Sequence, residues 1–276
     1  MINPGEYNSL KVVRKASEGL YLDGEDFGEI LLPKKEIPVD YHSEEALDVF
    51  VYFNSDEELV PTTRKPLGVV GTFACLKVVS VSDMGAFLDW GMPKDLFVPR
   101  AQQEEAMEEG ETYIVYIFKE SKRNRLAASA KIDLYLNKKP VDFSENDKVD
   151  LLITHQTDLG INAIVNNSHW GLFYQDELFD TLRFGQRTRG YVKKVRADGK
   201  IDLSLHKSGY QKMDDLEEKI LAHLNSNSGQ MMITDKSSPE IIYETFSVSK
   251  KKYKMALGSL YKAKRIVITD DVIRLV

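Results

Sequence analysis

Three landmarks of this chain recur at one fixed distance: Gly85, Gly110 and Ser129 are followed 75 residues later by Gly160, Gly185 and Ser204. A repeat of this kind means that one folding unit is used more than once, and the whole fold must be divisible accordingly. The stretches around the landmarks agree in kind, VSDMGAFLDWGMPKDLFVP with QTDLGINAIVNNSHWGLFY, and EEGETYIVYIFKESKRNRLAASAK with RFGQRTRGYVKKVRADGKIDLSLH. In the earlier copy the pattern predicts strands over 71–81, 85–88, 95–99, 112–119 and 125–128, with a polar helical stretch over 101–109. Short strands rich in Val, Ile, Phe and Tyr, punctuated by Gly and Asp turns, describe a small closed or partly open barrel. A compressed relative opens the chain, where EGLYLDGEDFGEILLPKKEIP and VFVYFNSDEELVPTTRKP keep the same order of strands. For that copy a plain antiparallel sheet packed on its neighbour is the alternative.

From Gly209 the period changes from strand to helix. Met213, Leu216, Ile220, Leu221 and Leu224 mark one face of a first helix, which the run Asn225 to Gly229 ends. Ser238 before Pro239 is a helix start, because proline's missing N–H is no loss at the first helical position. Ser249 caps a third helix with Tyr253, Leu257, Leu260 and Tyr261 as its buried stripe. Residues 264–269 and 272–275 then form a hairpin around Asp270 and Asp271, which completes the parts of a winged helix. The expected architecture is multidomain and mainly β with α. Three small OB-type barrels, at 1–62, 63–137 and 138–206, precede an α/β winged-helix domain at 207–276.

Charge is graded along these units. The net charge of −6 hides a first unit with 5 basic and 14 acidic side chains, two units with 10 of each, and a last unit with 12 basic and 9 acidic. Local field governs contact with a phosphate backbone, so the first unit is the least suited to it and the last the most. Lys250, Lys251 and Lys252 fall in the first turn of the third helix, where the macrodipole disfavours each cation by about 0.3–1 kcal/mol. Phosphate at that helix end would reverse the sign, drawing on the amides and on Lys250, Lys251 and Lys254 together. The helix offers no Arg, Asn or Gln to read base edges, which favours backbone contact over sequence reading.

Catalytic patterns are missing from the sequence. The five histidines form no His-x-x-x-His pair, and no Gly-rich phosphate loop or nucleophile elbow occurs. Neither a cofactor nor a metal is expected, and an enzyme is not. Cys75 stands alone, which fits a reducing compartment. The longest unbroken apolar run, Tyr113 to Phe118, is far short of the roughly 20 residues of a membrane helix, and the start lacks a signal region. A cytoplasmic location without a membrane partner is expected.

The units resemble the S-one RNA-binding repeat, an oligonucleotide-binding barrel. Gly85-Ala86-Phe87-Leu88, Asp95-Leu96-Phe97-Val98 and Arg125-Leu126-Ala127-Ala128-Ser129 fill the places of its second, third and last strands. That family stacks bases on two aromatics and a His. Phe87 keeps one aromatic, Met84 and Val98 stand where the others would be, and Asn162 replaces the Phe in the later copy. There Tyr174 takes the His position and Lys200 the Arg position, with Trp170 close by, and in the first copy Tyr21 falls at the Phe. A ring can stack on any base while cations follow the backbone. Phe87 with Arg125, Lys122 and Arg123, and Tyr174 with Lys193, Lys194 and Lys200, are therefore the candidate contacts. Tyr113, Tyr116 and Phe118 read as core or inter-barrel packing, because their segment is apolar on both faces.

In its order of units the chain resembles the bacterial conserved virulence factor B family. The resemblance implies an RNA-binding protein that influences expression of virulence and other genes, without established catalysis. Single-stranded RNA is the expected partner, and the acidic first unit is expected to pack or bind protein. A duplex-DNA-binding regulator using the winged helix, and an adaptor on the ribosome or a ribonuclease, are the competing readings.

Overall fold

The structure, a computed structural model, describes residues 1–39, 41–42, 46–120, 125–175, 181–207, 211–269 and 271–276, with backbone only for 211–215. The first unit has six strands: β1 (Glu6–Leu10), β2 (Val12–Lys15), β3 (Gly19–Asp23), β4 (Glu29–Pro33), β5 (Leu47–Phe53) and β6 (Leu59–Thr62). They form two three-stranded sheets, β1-β5-β6 and β2-β3-β4, over one core that includes Leu20, Leu22, Leu32, Val49 and Val51. The second unit is a closed barrel of β7 (Phe73–Ser82), β8 (Gly85–Asp89), β9 (Leu96–Pro99), β10 (Thr112–Lys119) and β11 (Leu126–Ser129). The third closes in the same way from β12 (Lys148–Thr157), β13 (Gly160–Val165), β14 (His169–Tyr174), β15 (Arg187–Val195) and β16 (Ile201–Ser204). In both barrels the third strand pairs in parallel with the fifth, β9 with β11 and β14 with β16, which is what shuts the cylinder.

The first unit follows the same path but stays open. Together β1 and β2 stand for the single long first strand of a barrel, interrupted at Lys11. The closing ladder between β4 and β6 does not form: Val51 gives its carbonyl to the Gly5 N–H, so its partner Pro61 faces β4, and proline has no hydrogen to donate there. Two features nevertheless coincide in all three copies. The first hairpin shifts register after Val12, Val78 and Ile153, and seven residues later comes Gly19, Gly85 or Gly160. A Cβ at those glycines would lie 2.0, 2.2 or 1.9 Å from the carbonyl oxygen of Leu32, Val98 or Phe173. Only glycine lets the second strand come so close to the third.

Alternation on these strands separates core from surface. In the second barrel Ala86, Leu88, Leu96 and Val98 point inward and are buried, so Phe87 and Phe97 between them point outward. The helical stretch expected over 101–109 is instead a single 3₁₀ turn, Arg100–Gln102, followed by an irregular loop. Buried Gln103 explains this, because its amide donates to the Val98 carbonyl and accepts from the Met107 N–H, giving the backbone partners that a helix would have supplied.

Three of these units are joined by apolar contacts. Phe50 and Tyr52 of β5 meet Trp90 edge-on, with ring centroids 5.7 and 6.5 Å apart, seating the acidic first unit on the second barrel. Phe73, Ile114, Leu136, Leu152 and Ile164 form a core between the second and third barrels, bordered by the Arg187 guanidinium, which donates to the Phe73 carbonyl at 2.5 Å.

The C-terminal unit has α1 (Gln211–Ser226), β17 (Gln230–Met231), α2 (Pro239–Phe246), α3 (Lys250–Lys262), β18 (Ile266–Ile268) and β19 (Ile273–Leu275), with sheet order β17-β19-β18. Ser238 and Ser249 cap α2 and α3 as their sequence positions predict, accepting from the Ile241 and Lys252 N–H groups. Buried Tyr253, Ala256, Leu257 and Leu260 make the inner stripe of α3. Tyr261 is not part of that stripe: it lies about 80° round the helix from Tyr253 and is 56% exposed.

Candidate nucleic-acid interface

The register of the second barrel sets side chains from four strands in one lateral row. Phe87 pairs with Phe97, Phe97 with Ala127, and Ala127 with Phe118, while Ser80 flanks Phe87 on the other side. Phe87 and Phe97 are half-buried, tilted 40° with centroids 5.0 Å apart. Ala127 makes a low step between Phe97 and Phe118, and beyond Phe118 the stacked rings of Tyr135 and Tyr116 lead into the core between the second and third barrels, so Tyr116 serves the inter-barrel packing that its sequence predicts. Flat, partly exposed rings at this spacing offer stacking faces to unpaired bases.

Sequence patterning alone does not single out Phe97 and Phe118 as members of this row. For Phe97 the signal is present: Leu96 and Val98 alternate inward, which gives Phe97 the same facing as Phe87. Phe118 is hidden by the apolar character of its whole strand.

Cations border the row. Arg125 lies at its edge, and Lys94 nearby has its ammonium pulled below the ordinary lysine value, first by burial and then by Arg125. Arg125 is engaged from the first unit, whose β5–β6 hairpin places the Glu57 carboxylate 2.6 and 3.1 Å from its guanidinium, while Lys94 donates to the Asn54 carbonyl at 2.8 Å. The expectation that the acidic unit packs on its neighbour thus has a specific contact behind it. Lys122 and Arg123 lie outside the described residues.

Matching positions in the other copies carry different chemistry. In the first, Tyr21 holds the place of Phe87, but Arg14 lies over its ring at 3.5 Å and its hydroxyl donates to Glu18, so one face is covered by the unit's own cation. In the third, the row runs Asn162, Leu172, Asp202 and Lys194, with exposed His155 beside Asn162. Tyr174 sits off this row, paired with Gly160, half-buried and with the Arg196 guanidinium 5.4 Å from its ring centre. Arg196 is also bound to Asp202 at 2.9 Å. Lys194 and Lys200 are exposed, the latter 3.5 Å from Asp198, whereas Lys193 is half-buried. Of the other basic residues here, Arg187 serves the interface between barrels and Arg189 pairs with Asp150 at 3.2 Å.

On α3, Lys251 is exposed and Lys254 is exposed but 3.5 Å from Asp235. Lys250 is turned to a structural task, donating to the Ser237 and Lys236 carbonyls at 2.8 and 3.3 Å and so pinning the turn before α2. The structure therefore brings Phe87, Phe97, Phe118 and Arg125 together on the second barrel, with Tyr174, Lys194 and Lys200 on the third barrel and Lys251 and Lys254 on the C-terminal unit. Among the described residues no group of three His, Cys, Asp or Glu side chains could hold a metal, and no helix is long and apolar enough to cross a membrane.

Comparison with known proteins finds two domain families in the chain. The S1 domain family matches residues 4–64 and 70–131, and the CvfB-like winged helix domain family matches residues 218–275. The first match covers the open first unit, in line with its shared register shift and glycine. YitL of Bacillus subtilis is 29% identical over 269 residues, 95% of this chain and 90% of that protein. Conserved virulence factor B of Staphylococcus aureus is 25% identical over 281 residues, 98% of this chain and 93% of that one. A crystal structure from Streptococcus pneumoniae, described as a multidomain protein with nucleic acid binding domains, aligns over 99% of this chain and 98% of its own at 22% identity, with a TM-score of 0.42. The chain carries S1 domains and a CvfB-like winged helix, and homologues 25–29% identical over nearly its whole length are named conserved virulence factor B and YitL.

Proposed function

We propose that this protein binds single-stranded RNA, with bases stacked along the Phe87, Phe97 and Phe118 row and phosphates drawn to Arg125 and its neighbours. The observation that carries the reading is the lateral alignment of those rings across four strands, since a duplex, whose bases are stacked on one another, has none to offer such a surface. The winged helix adds a second basic contact through Lys251 and Lys254. On this reading the protein acts in the cytoplasm as a regulator of gene expression, without catalysis, and is divided into four units at 62, 137 and 206.

Exposed lysines on α3 favour one other reading, duplex DNA bound by the winged helix. Competition measured by fluorescence anisotropy over a salt series separates the two. An unlabelled single-stranded RNA is expected to displace a labelled RNA at lower concentration than duplex DNA of equal length, with log affinity falling linearly in log salt. Duplex DNA competing better would contradict the proposal.

The Glu57 contact makes a further expectation. A carboxylate held on Arg125 occupies the place of a phosphate, so Glu57→Gln is expected to tighten RNA binding roughly two- to five-fold at low salt, as befits a half-exposed pair. The gain should fade as salt screens the pair. Equal affinities of variant and parent at low salt would show that Arg125 takes no part.

A further inference from the structure

The three copies hold three different groups at one position of the same face. Offset by 66 and 75 residues, Tyr21, Phe87 and Asn162 are equivalent, and the strand before each supplies Arg14, Ser80 and His155. The first copy covers its ring, the second leaves two rings half-exposed, and the third replaces the ring by an amide. In the third, Leu172 stands for Phe97 and Asp202 for Ala127, so the stacking surface is gone.

What replaces it is a set of hydrogen-bonding groups. The Asn162 amide donates to His155 Nε2 at 3.2 Å, and this is its only side-chain bond among the described residues. One amide hydrogen and the amide oxygen remain open on a half-exposed side chain. In the tautomer whose Nε2 accepts from this amide, His155 carries its proton on Nδ1 and is a second donor. Trp170 stands edge-on to the imidazole, centroids 6.1 Å apart, and its indole N–H is held by Asp133 at 2.7 Å. The neighbouring carboxylate of Asp202 is mostly buried and paired with Arg196, which offsets its charge in the middle of the row. A neutral group able both to give and to accept hydrogen bonds would satisfy the open groups of Asn162 and His155.

From this geometry we infer that the third barrel reads the Watson–Crick edge of an unpaired nucleobase through Asn162, positioned by His155, and is the source of base preference. The inference rests on the proposed RNA binding and deepens it. Rings accept every base, because every base has a flat face, whereas an amide discriminates by the order of donors and acceptors. The second barrel then supplies affinity and the third supplies selection.

The test measures affinities of the full chain for labelled A, C and U 12-mers. Wild type is expected to show a ratio of roughly 5- to 150-fold between tightest and weakest, the range one bidentate base contact gives. Asn162→Ala should bring the three within about two-fold while leaving the weakest unchanged, and should leave thermal unfolding as it was. Asn162→Asp, nearly the same in shape but without the donor, should change which oligomer binds best. Phe87→Ala should weaken all three alike and keep their ratio. RNA binding with equal affinities in wild type, or a ratio that survives both Asn162 variants, overturns the inference and leaves the RNA-binding proposal standing. No RNA binding at all overturns both.

Discussion

Alanine at Gly160 is expected to prevent the third barrel from closing. Its Cβ would lie 1.9 Å from the Phe173 carbonyl oxygen, an atom of the neighbouring strand's backbone, and the residue sits at φ +151°. A flexible side chain could swing away from such a contact, but a backbone carbonyl moves only with its ladder. The backbone strain and the clash together put the loss at about 3–5 kcal/mol, at the upper end for a single substitution. Gly258 gives the opposite expectation from the same change. It lies within α3 at an ordinary helical angle, and a Cβ there would meet nothing within 4 Å. Gly258→Ala should therefore stabilise the winged helix by about 1 kcal/mol. Native-state amide exchange reports each unit separately, which a single melting curve of a multidomain chain does not. Protection should fall over residues 148–204 in Gly160→Ala and rise along α3 in Gly258→Ala. Unchanged protection in the third barrel would refute the close-approach argument for all three equivalent glycines.

Removing a ring from the second barrel is expected to lower RNA affinity by about 1–3 kcal/mol, or roughly 5- to 150-fold, the loss of one stacked base. Phe87→Ala and Phe97→Ala both qualify, because their side chains point out of the barrel and the core of Ala86, Leu88, Leu96 and Val98 is untouched. Their rings are 5.0 Å apart and form one surface, so the double variant should lose less than the product of the singles. Neutral rings release no counterions, and the slope of log affinity against log salt should not change in these variants. Arg125→Ala should instead lower that slope by about one. Full affinity in the double variant would remove the row from the interface.

Much of this arrangement is legible in the amino-acid sequence. The spacing of Gly85 and Gly160 locates the barrels because the glycine is needed by a local backbone approach that repeats with the fold. Ser238 and Ser249 mark helix starts because capping depends on a few adjacent residues. Contacts between units are another matter. Glu57 and Arg125 are 68 residues apart and meet only because Phe50 and Tyr52 pack on Trp90. No local rule contains that. The stretch over 101–109 has a helical composition, yet one buried glutamine satisfies its backbone in another form. Lys250 looks like a phosphate ligand in sequence, and its carbonyl partners fourteen and thirteen residues away assign it to a turn.

The central claim is that unpaired bases lie on the outer face of the second barrel. Ultraviolet crosslinking of the full chain to a 4-thiouridine-substituted single-stranded RNA, with peptides located by mass spectrometry, addresses it most directly. The account predicts crosslinks concentrated at 85–99 and 112–119, the segments that hold Phe87, Phe97 and Phe118. Crosslinks confined to the winged helix, with those segments unmodified, would contradict it.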